Sequence, residues 1–443
     1  MNQGLKHVTM RALFAFMIVI GIILFIYPTF ADTVDSMLDI GVMVNSKMKS
    51  LASGTTMQYW DKSYEIKEIH MAQSLPDDFV PSAANTVSTP DSKYPVYIFF
   101  DNTDGAGIIY FFTENDTVVM NPDSDLLFAY CPALVKIPGV VHWDSSNVTD
   151  MYGLFFEDRS LADALALRKW DTSNVVNMRY MFYRASSLMF VNVSDWNTSN
   201  VKSMDCMFAV GDDWAGNGQL REIFGLENLD VSNVISMTCM FYGAGHITYY
   251  DIGGWDVSNV TSMNHMFCDN RELKSLDLSR WDVSNVRTMF DMFDDNESLT
   301  TIGDVSHWNT SNLVDAGGWL NGAHSFIGDD TGTLDLSGWD TSNIKSFGEM
   351  FYYTEIRTLD LTGWTFDSVT NDPWEGAGTG MYYQTGNDSE NFRGFGAMFK
   401  DASKLKTIYV SQAGLDSFNE AVKNGINTEH MWDYVPAGGF TVK

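Results

Sequence analysis

The chain has 443 residues, with 27 Lys or Arg against 57 Asp or Glu, a formal charge of −30. So acidic a balance repels phosphate backbones and no local basic stripe offsets it, which argues against a nucleic-acid partner. A hydrophobic content of 45%, with 25 Met and 13 Trp, excludes a disordered chain, and the four cysteines form neither a C-x-x-C pair nor a zinc spacing.

Lys6 and Arg11 precede an apolar run from Ala12 to Tyr27, and Thr29-Phe30-Ala31 before Asp32 is an acceptable cleavage site. Residues 1–31 therefore read as a signal peptide or, with the run extended to Ala31, as a signal-anchor inserted in the membrane. Either sends the rest of the chain outside the cell. Residues 32–93 read as a stalk: a loosely helical pattern from Met37 to Met48, then a Ser/Thr/Pro-rich linker from Pro81 to Pro90. From Tyr94 the pattern turns to strands. Tyr94–Phe100 and Gly107–Phe112 flank the turn-rich Asp101-Asn102-Thr103-Asp104-Gly105, so residues 94–125 are expected to form a β-hairpin cap.

The remainder is repetitive. A Trp recurs at Trp143, Trp170, Trp196, Trp255, Trp281, Trp308, Trp339 and Trp364, with Leu229 standing in once, at spacings of 27, 26, 33, 26, 26, 27, 31 and 25 residues. A period in this range marks a solenoid, whose units are too small to bury an apolar face alone. In the unit from Leu273 to Phe293, Leu276-Asp277-Leu278-Ser279 alternates like a short strand, with parallels at Leu334–Ser337 and Leu359–Thr362. Val286, Met289 and Phe293 fall at helical spacing, and Ser284-Asn285 before them are helix-capping types. The expected fold is thus an α/β repeat solenoid over residues 126–410, short parallel strands alternating with short helical turns, closed by a C-terminal cap at 411–443. The Trp residues form a buried row and the Met-Phe pairs another. About nine units give a sheet about 45 Å long.

Asp144, Asp171, Asp230, Asp256, Asp282 and Asp340 follow the Trp position, with Asn197 and Asn309 interrupting. An Asx-turn onto the amide two residues on is the first reading of this series. A calcium ladder is the alternative, but the ion takes at least about six oxygen ligands and the motif offers few, so no cofactor is expected. Cys206 and Cys239 share one position in successive units; they read as small buried residues whose sulfurs face each other if units stack closely. Two insertions break the period, at 209–225 and 371–394. Their aromatics Trp214, Trp374, Tyr382 and Tyr383 are the candidate binding residues for a protein or carbohydrate, since insertions map to loops on one face.

The unit W-D-[TV]-S-N-V-x-x-M-x-x-M-F, joined to L-x-x-L-D-L-S, resembles the bacterial surface protein 26-residue repeat. That repeat belongs to BspA-like, leucine-rich-repeat-related surface proteins of Gram-positive bacteria and mycoplasmas, also described as lipoprotein-associated domains of unknown function. The resemblance covers residues 94–410 and implies an exported leucine-rich-repeat solenoid without known catalysis, used in some members for adhesion or host contact. No lipobox Cys follows the apolar run and no LPxTG-type sorting signal closes the sequence, so lipid and wall anchoring are not expected. The unit at Trp308 departs too, with Ala316 and Trp319-Leu320 at the Met and Met-Phe positions, and irregular packing is expected there. The leading function is non-catalytic adhesion or recognition at the cell surface, in an extracellular location. A structural spacer or antigenically variable coat is the alternative. With no G-x-S-x-G, H-E-x-x-H, P-loop or G-x-G-x-x-G, an enzyme ranks last.

Overall fold

A computed structural model describes residues 35–211, 218–371, 394–436 and 439–443. The N-terminal hairpin pairs β2 (Tyr97–Asp101) with β3 (Ile108–Phe112) in antiparallel register, and Asp104 and Gly105 take positive φ in the turn between them. Alternate residues Ile98, Ile109 and Phe111 are buried, the expected consequence of β-branched and aromatic residues on one pleated face. The cap is larger than the hairpin. Strand β1 (Glu68–Met71) joins it in parallel with β3, giving the order β1-β3-β2. Helix α1 (Gly41–Ser53) also packs in, ending at Gly54 in the left-handed conformation.

Residues 35–93 are therefore not a stalk. Leu38, Val44, Met48, Ile66, Ile69 and Val87 are buried in the same core as the first repeats. Their pairing is long-range: Leu38 N–H donates to Val119 O at 2.8 Å, and Asn45 Nδ2 donates to Leu126 O and Ala129 O. Each segment carries few apolar residues, so its local pattern looks like a linker while its burial comes from residues about eighty positions away.

In the repeats, successive units lie side by side and pair along two parallel ladders. One contains the short strands: β4 (Asp163–Ala164), β5 (Phe190–Asn192) and β6 (Glu222–Phe224), then bridges joining Tyr249, Ser275 and Thr301. It resumes in β7 (Thr333–Asp335), β8 (Thr358–Leu361) and β9 (Thr407–Val410). The other is a run of single-residue parallel bridges through Asp123, Asp150, Asn177, Ser203, Ser236, Ser262, Thr288, Asp315 and Ser346.

The segment expected to be helical is not. Ser284-Asn285 sit inside a tight turn closed by Val286 N–H to Val283 O at 2.9 Å. Beyond it, Met292 N–H bonds back to Met289 O and Asp294 N–H to Asp291 O, while Asp291, Phe293 and Asp295 donate outward to Gly317, Trp319 and Asn321 of the next unit. Chained turns of this kind share the three-and-four spacing of a helix, so apolar periodicity alone does not separate them. The backbone does. Asp291 and Asp295 hold φ of 52° and 54°, and equivalent residues repeat along the stack. One column runs Leu126, Gly153, Tyr180, Cys206, Cys239, His265, Asp291, Gly318, Glu349, Ala397 and His430, and a second lies four residues on. Left-handed non-Gly residues cost of order 1–3 kcal/mol each. Hydrogen bonds between units and the buried side chains on either side of each turn offset that cost.

The core is a set of aligned rows. Among the described residues, each indole from Trp170 to Trp364 is buried and donates its Nε1–H, except at Trp319, to the carbonyl three residues before the preceding unit's Trp position, as Trp281 does to Ile252 O at 3.0 Å. That bond lets a polar N–H sit in the core without an unpaired donor. Trp143, at the start, uses Met71 Sδ. Phe128, Phe155, Phe182, Phe208, Phe241, Phe267 and Phe293 stack nearly parallel at 5.3–5.9 Å. The stack then breaks. Trp319 takes a Met position between Trp308 and Trp339, edge-on to both, and its Nε1 has no partner. At the far end, α2 (Gln412–Lys423), capped by Ser411 Oγ, covers the last unit with Phe418 and Phe440. Strand β10 (Thr441–Val442) closes the edge beside β9.

Candidate functional site

The conserved-looking letters of the repeat are occupied by the stack itself. Every residue following the Trp position between Asp144 and Asp340 accepts, through Oδ1, the N–H two residues later, at 2.9–3.2 Å. In three of these Asx-turns, those of Asp171, Asp256 and Asp340, and in the similar turn of Asp277, these bonds hold the carboxyl below its ordinary value. Each motif Asn from Asn174 to Asn343 donates Nδ2 to the carbonyl of the preceding unit's Ser at 2.7–2.9 Å. Where Thr replaces Val before that Ser, its hydroxyl also reaches the next unit, as Thr172 does to Asn197 O. Among the described residues no group of three or more His, Cys, Asp or Glu is arranged to hold a metal ion. Trp214, Trp374, Tyr382 and Tyr383 lie outside the described residues.

What remains free to vary is the residue two places after each Asn: Thr149, Val176, Lys202, Ile235, Thr261, Arg287, Val314 and Lys345. Their backbones form an unbroken ladder, each N–H donating to the preceding member's carbonyl at 2.7–2.9 Å. Adjacent side chains are thus set at about the 4.8 Å strand spacing. Val176 and Ile235 are 43% and 50% exposed, and Lys202 Nζ bridges to Asn233 Oδ1. This row holds three cations and no carboxylate in a chain of charge −30. Beside it opens a groove of about 380 Å³ lined by Thr261, Asn285, Arg287, Asn312, Val314 and Asn343. A larger hollow of about 550 Å³ lies against α1, lined by Met43, Lys47, Leu51 and Met57 among others, and belongs to the cap.

On and beside the left-handed columns the later units gather carboxyls: Asp269, Asp291 and Glu349 are buried, Asp294 and Asp295 half-buried, and Asp315 is buried on the adjoining ladder. Burial pushes Asp291 and Asp294 well above the usual carboxylate range; the charge of Asp294 adds to it at Asp291, and the charge of Asp295 adds to it at Asp294. Asp315 is raised by burial to about 7, against the pull of the Gly317 N–H. Burial lowers His265 to about 4, so its ring is neutral at pH 7. Earlier along the same columns, Glu157 behaves oppositely. Burial opposes its charge, but Lys62, Arg184 and Arg159 hydrogen-bond it and bring it to about 2. The sequence reading missed both groups. The available signal was acidic residues repeating 26 positions apart, at Asp269 and Asp295, outside the Trp-Asp motif.

A family model described as "Mycoplasma protein of unknown function, DUF285" matches residues 126–220, 217–333 and 303–373. Together these span 126–373, which is 248 of 443 residues. No curated protein matches the chain.

Proposed function

The chain belongs to the DUF285 family, and on that premise we propose that it is an exported, non-catalytic recognition protein whose repeats present an extended face to a protein or glycan at the cell surface. The fold we assign to it is an α/β repeat solenoid of the BspA-like, leucine-rich-repeat-related type. One observation carries the functional reading: the row from Thr149 to Lys345 varies freely while its backbone spacing is held constant. A rigid ruler with interchangeable side chains is the architecture of an extended binding surface. Export rests on the apolar run from Ala12 to Tyr27, which lies outside the described residues. No described helix is long and apolar enough to cross a membrane.

The test screens the full chain on arrays of purified host-surface proteins and glycans, then repeats it with Lys202→Ala, Ile235→Ala, Arg287→Ala and Lys345→Ala combined. These side chains point to solvent or only partly touch the core, so the thermal midpoint should hold while any specific binding falls at least tenfold. Binding that survives the substitutions removes this face from consideration. The spacer reading draws support from the Asn and Asp rows, whose side chains bond within the stack. A chain that binds nothing on either array favours it.

A further inference from the structure

The four cysteines are not equivalent, and the difference is set by the repeat geometry. Cys206 and Cys239 occupy successive positions in the first left-handed column, with φ of 54° and 56°. Cys206 N–H donates to Thr238 O at 2.8 Å, and Cys239 N–H continues the same ladder to Asn264 O at 2.8 Å. Identical backbone conformation in register makes their Cα–Cβ bonds parallel, with Cα atoms about 4.8–5.5 Å apart. That lies inside the Cα range of a disulfide, about 4.4–6.8 Å, and the Cβ atoms need approach by about 1 Å to reach the disulfide separation of about 3.8 Å. Both side chains are buried in one small cluster with Tyr180, Ala209 and Tyr242, separate from the main core. Cys268 shares that cluster but stands three residues after the column, where its Sγ faces Asp294 Oδ2 at 3.6 Å. Cys131 is remote, with Sγ toward Ala129 O at 3.8 Å.

We propose that Cys206 and Cys239 are a disulfide-forming pair that staples two neighbouring units together when the chain folds in an oxidising medium. The reaction is thiol–disulfide exchange with a small-molecule disulfide. One cysteine thiolate attacks it, forming a mixed disulfide and releasing one thiol; the second then displaces the other thiol, and the Sγ–Sγ bond forms. Two cysteine S–H bonds are lost, two small-molecule thiols are gained, and two electrons pass to the reagent. Burial raises the Cys206 thiol, and the Cys239 thiol within hydrogen-bonding reach adds to that, so the folded pair is slow to form thiolate. Oxidation is accordingly expected during folding, before the cluster closes. The staple would enclose a 33-residue period, the longest in the repeat, spanning the insertion.

The test refolds the full chain from denaturant in a mixture of reduced and oxidised glutathione. Free thiols are then alkylated and the non-reduced digest is mapped by mass spectrometry. The expected result is one cross-linked species joining the Cys206 and Cys239 peptides, with Cys131 and Cys268 alkylated. The thermal midpoint should fall on adding reductant, and Cys206→Ala should abolish that dependence. Four alkylated cysteines in protein with native circular dichroism overturn the proposal. So does a bond from Cys206 to Cys131 or Cys268, or a midpoint indifferent to reductant in protein shown to carry the bond. Should refolding fail, the same mapping applied to protein purified in its native state without reductant gives the same two outcomes.

Discussion

The two left-handed columns run the length of the repeats, yet their earlier and later stretches are built from different chemistry. From Tyr152 to Cys268 the side chains around them are Tyr, Phe and Cys, packed into a small apolar cluster, with Glu157 clamped by three cations at its edge. From His265 to Glu349 they include the carboxyls Asp269, Asp291, Asp295 and Glu349 together with the neutral His265. The backbone hardly changes, since both stretches keep the same φ and the same outward hydrogen bonds. The stack is therefore specified by rows that lie inside, and the turn surface is free to carry opposite electrostatics on one frame.

If the frame is common, deleting a core ring should cost the same on both sides. Phe182→Ala and Phe293→Ala are each expected to destabilise by about 3–5 kcal/mol in urea unfolding, because both rings are fully buried in one stack. Values differing by more than about 2 kcal/mol would mean that the column chemistry, not the row, sets local stability.

The sharper contrast is in pH. A buried carboxyl raised to about 7, as Asp315 is, contributes stability that is complete below its unfolded value of 3.8 and is lost as pH rises through about 7. Glu157, lowered from 4.5 to about 2, contributes stability present above 4.5 and lost as pH falls toward about 2. Hydrogen exchange resolved by peptide should show the 265–349 turns loosening progressively between about pH 4 and about pH 7, the interval between the unfolded and folded values of Asp315. The 153–184 turns should loosen only on strong acidification. Asp315→Asn should flatten that loss between about pH 4 and 7 and leave the Glu157 response, with a change on the order of a few kcal/mol above about pH 7. Equal responses of both stretches would end the distinction.

A smaller effect separates backbone from side chain. Gly322 holds φ of 67° in the second column, where an added Cβ would meet the Asp295 backbone at 3.2 Å and its Oδ1 at 2.4 Å. Gly322→Ala should cost about 1–2 kcal/mol by thermal melting, most of it strain that Asp295 itself already bears in the same conformation. A neutral substitution would show that the ladder tolerates side chains at these positions without penalty.

Much of the repeat was legible beforehand. Trp281, Asp282, Ser284 and Asn285 recur together because each makes one bond within or between units, and recurrence survives in the letters. The hairpin and the terminal cap were legible from β-branched alternation and from the end of the Trp series. Residues 35–93 were not, because Leu38, Met48 and Ile69 find their partners far along the chain. Nor was the exposed row from Thr149 to Lys345, whose defining property is that its residues vary. The candidate aromatics Trp214, Trp374, Tyr382 and Tyr383 fall outside the described residues, so the site reading moved to that row.

By itself the sequence determined the unit, its period and which letters are buried, since those follow from a local pattern repeated until its copies must pack on each other. Only the tertiary structure decided that the Met-Phe segment is a chain of left-handed turns and not a helix. The two share one apolar spacing, and they differ in where Asp291, Phe293 and Asp295 send their N–H groups. It alone decided, too, that Cys206 meets Cys239 while Asp291 meets Asp315, because residues 24 to 33 positions apart become neighbours only once one unit is laid against the next.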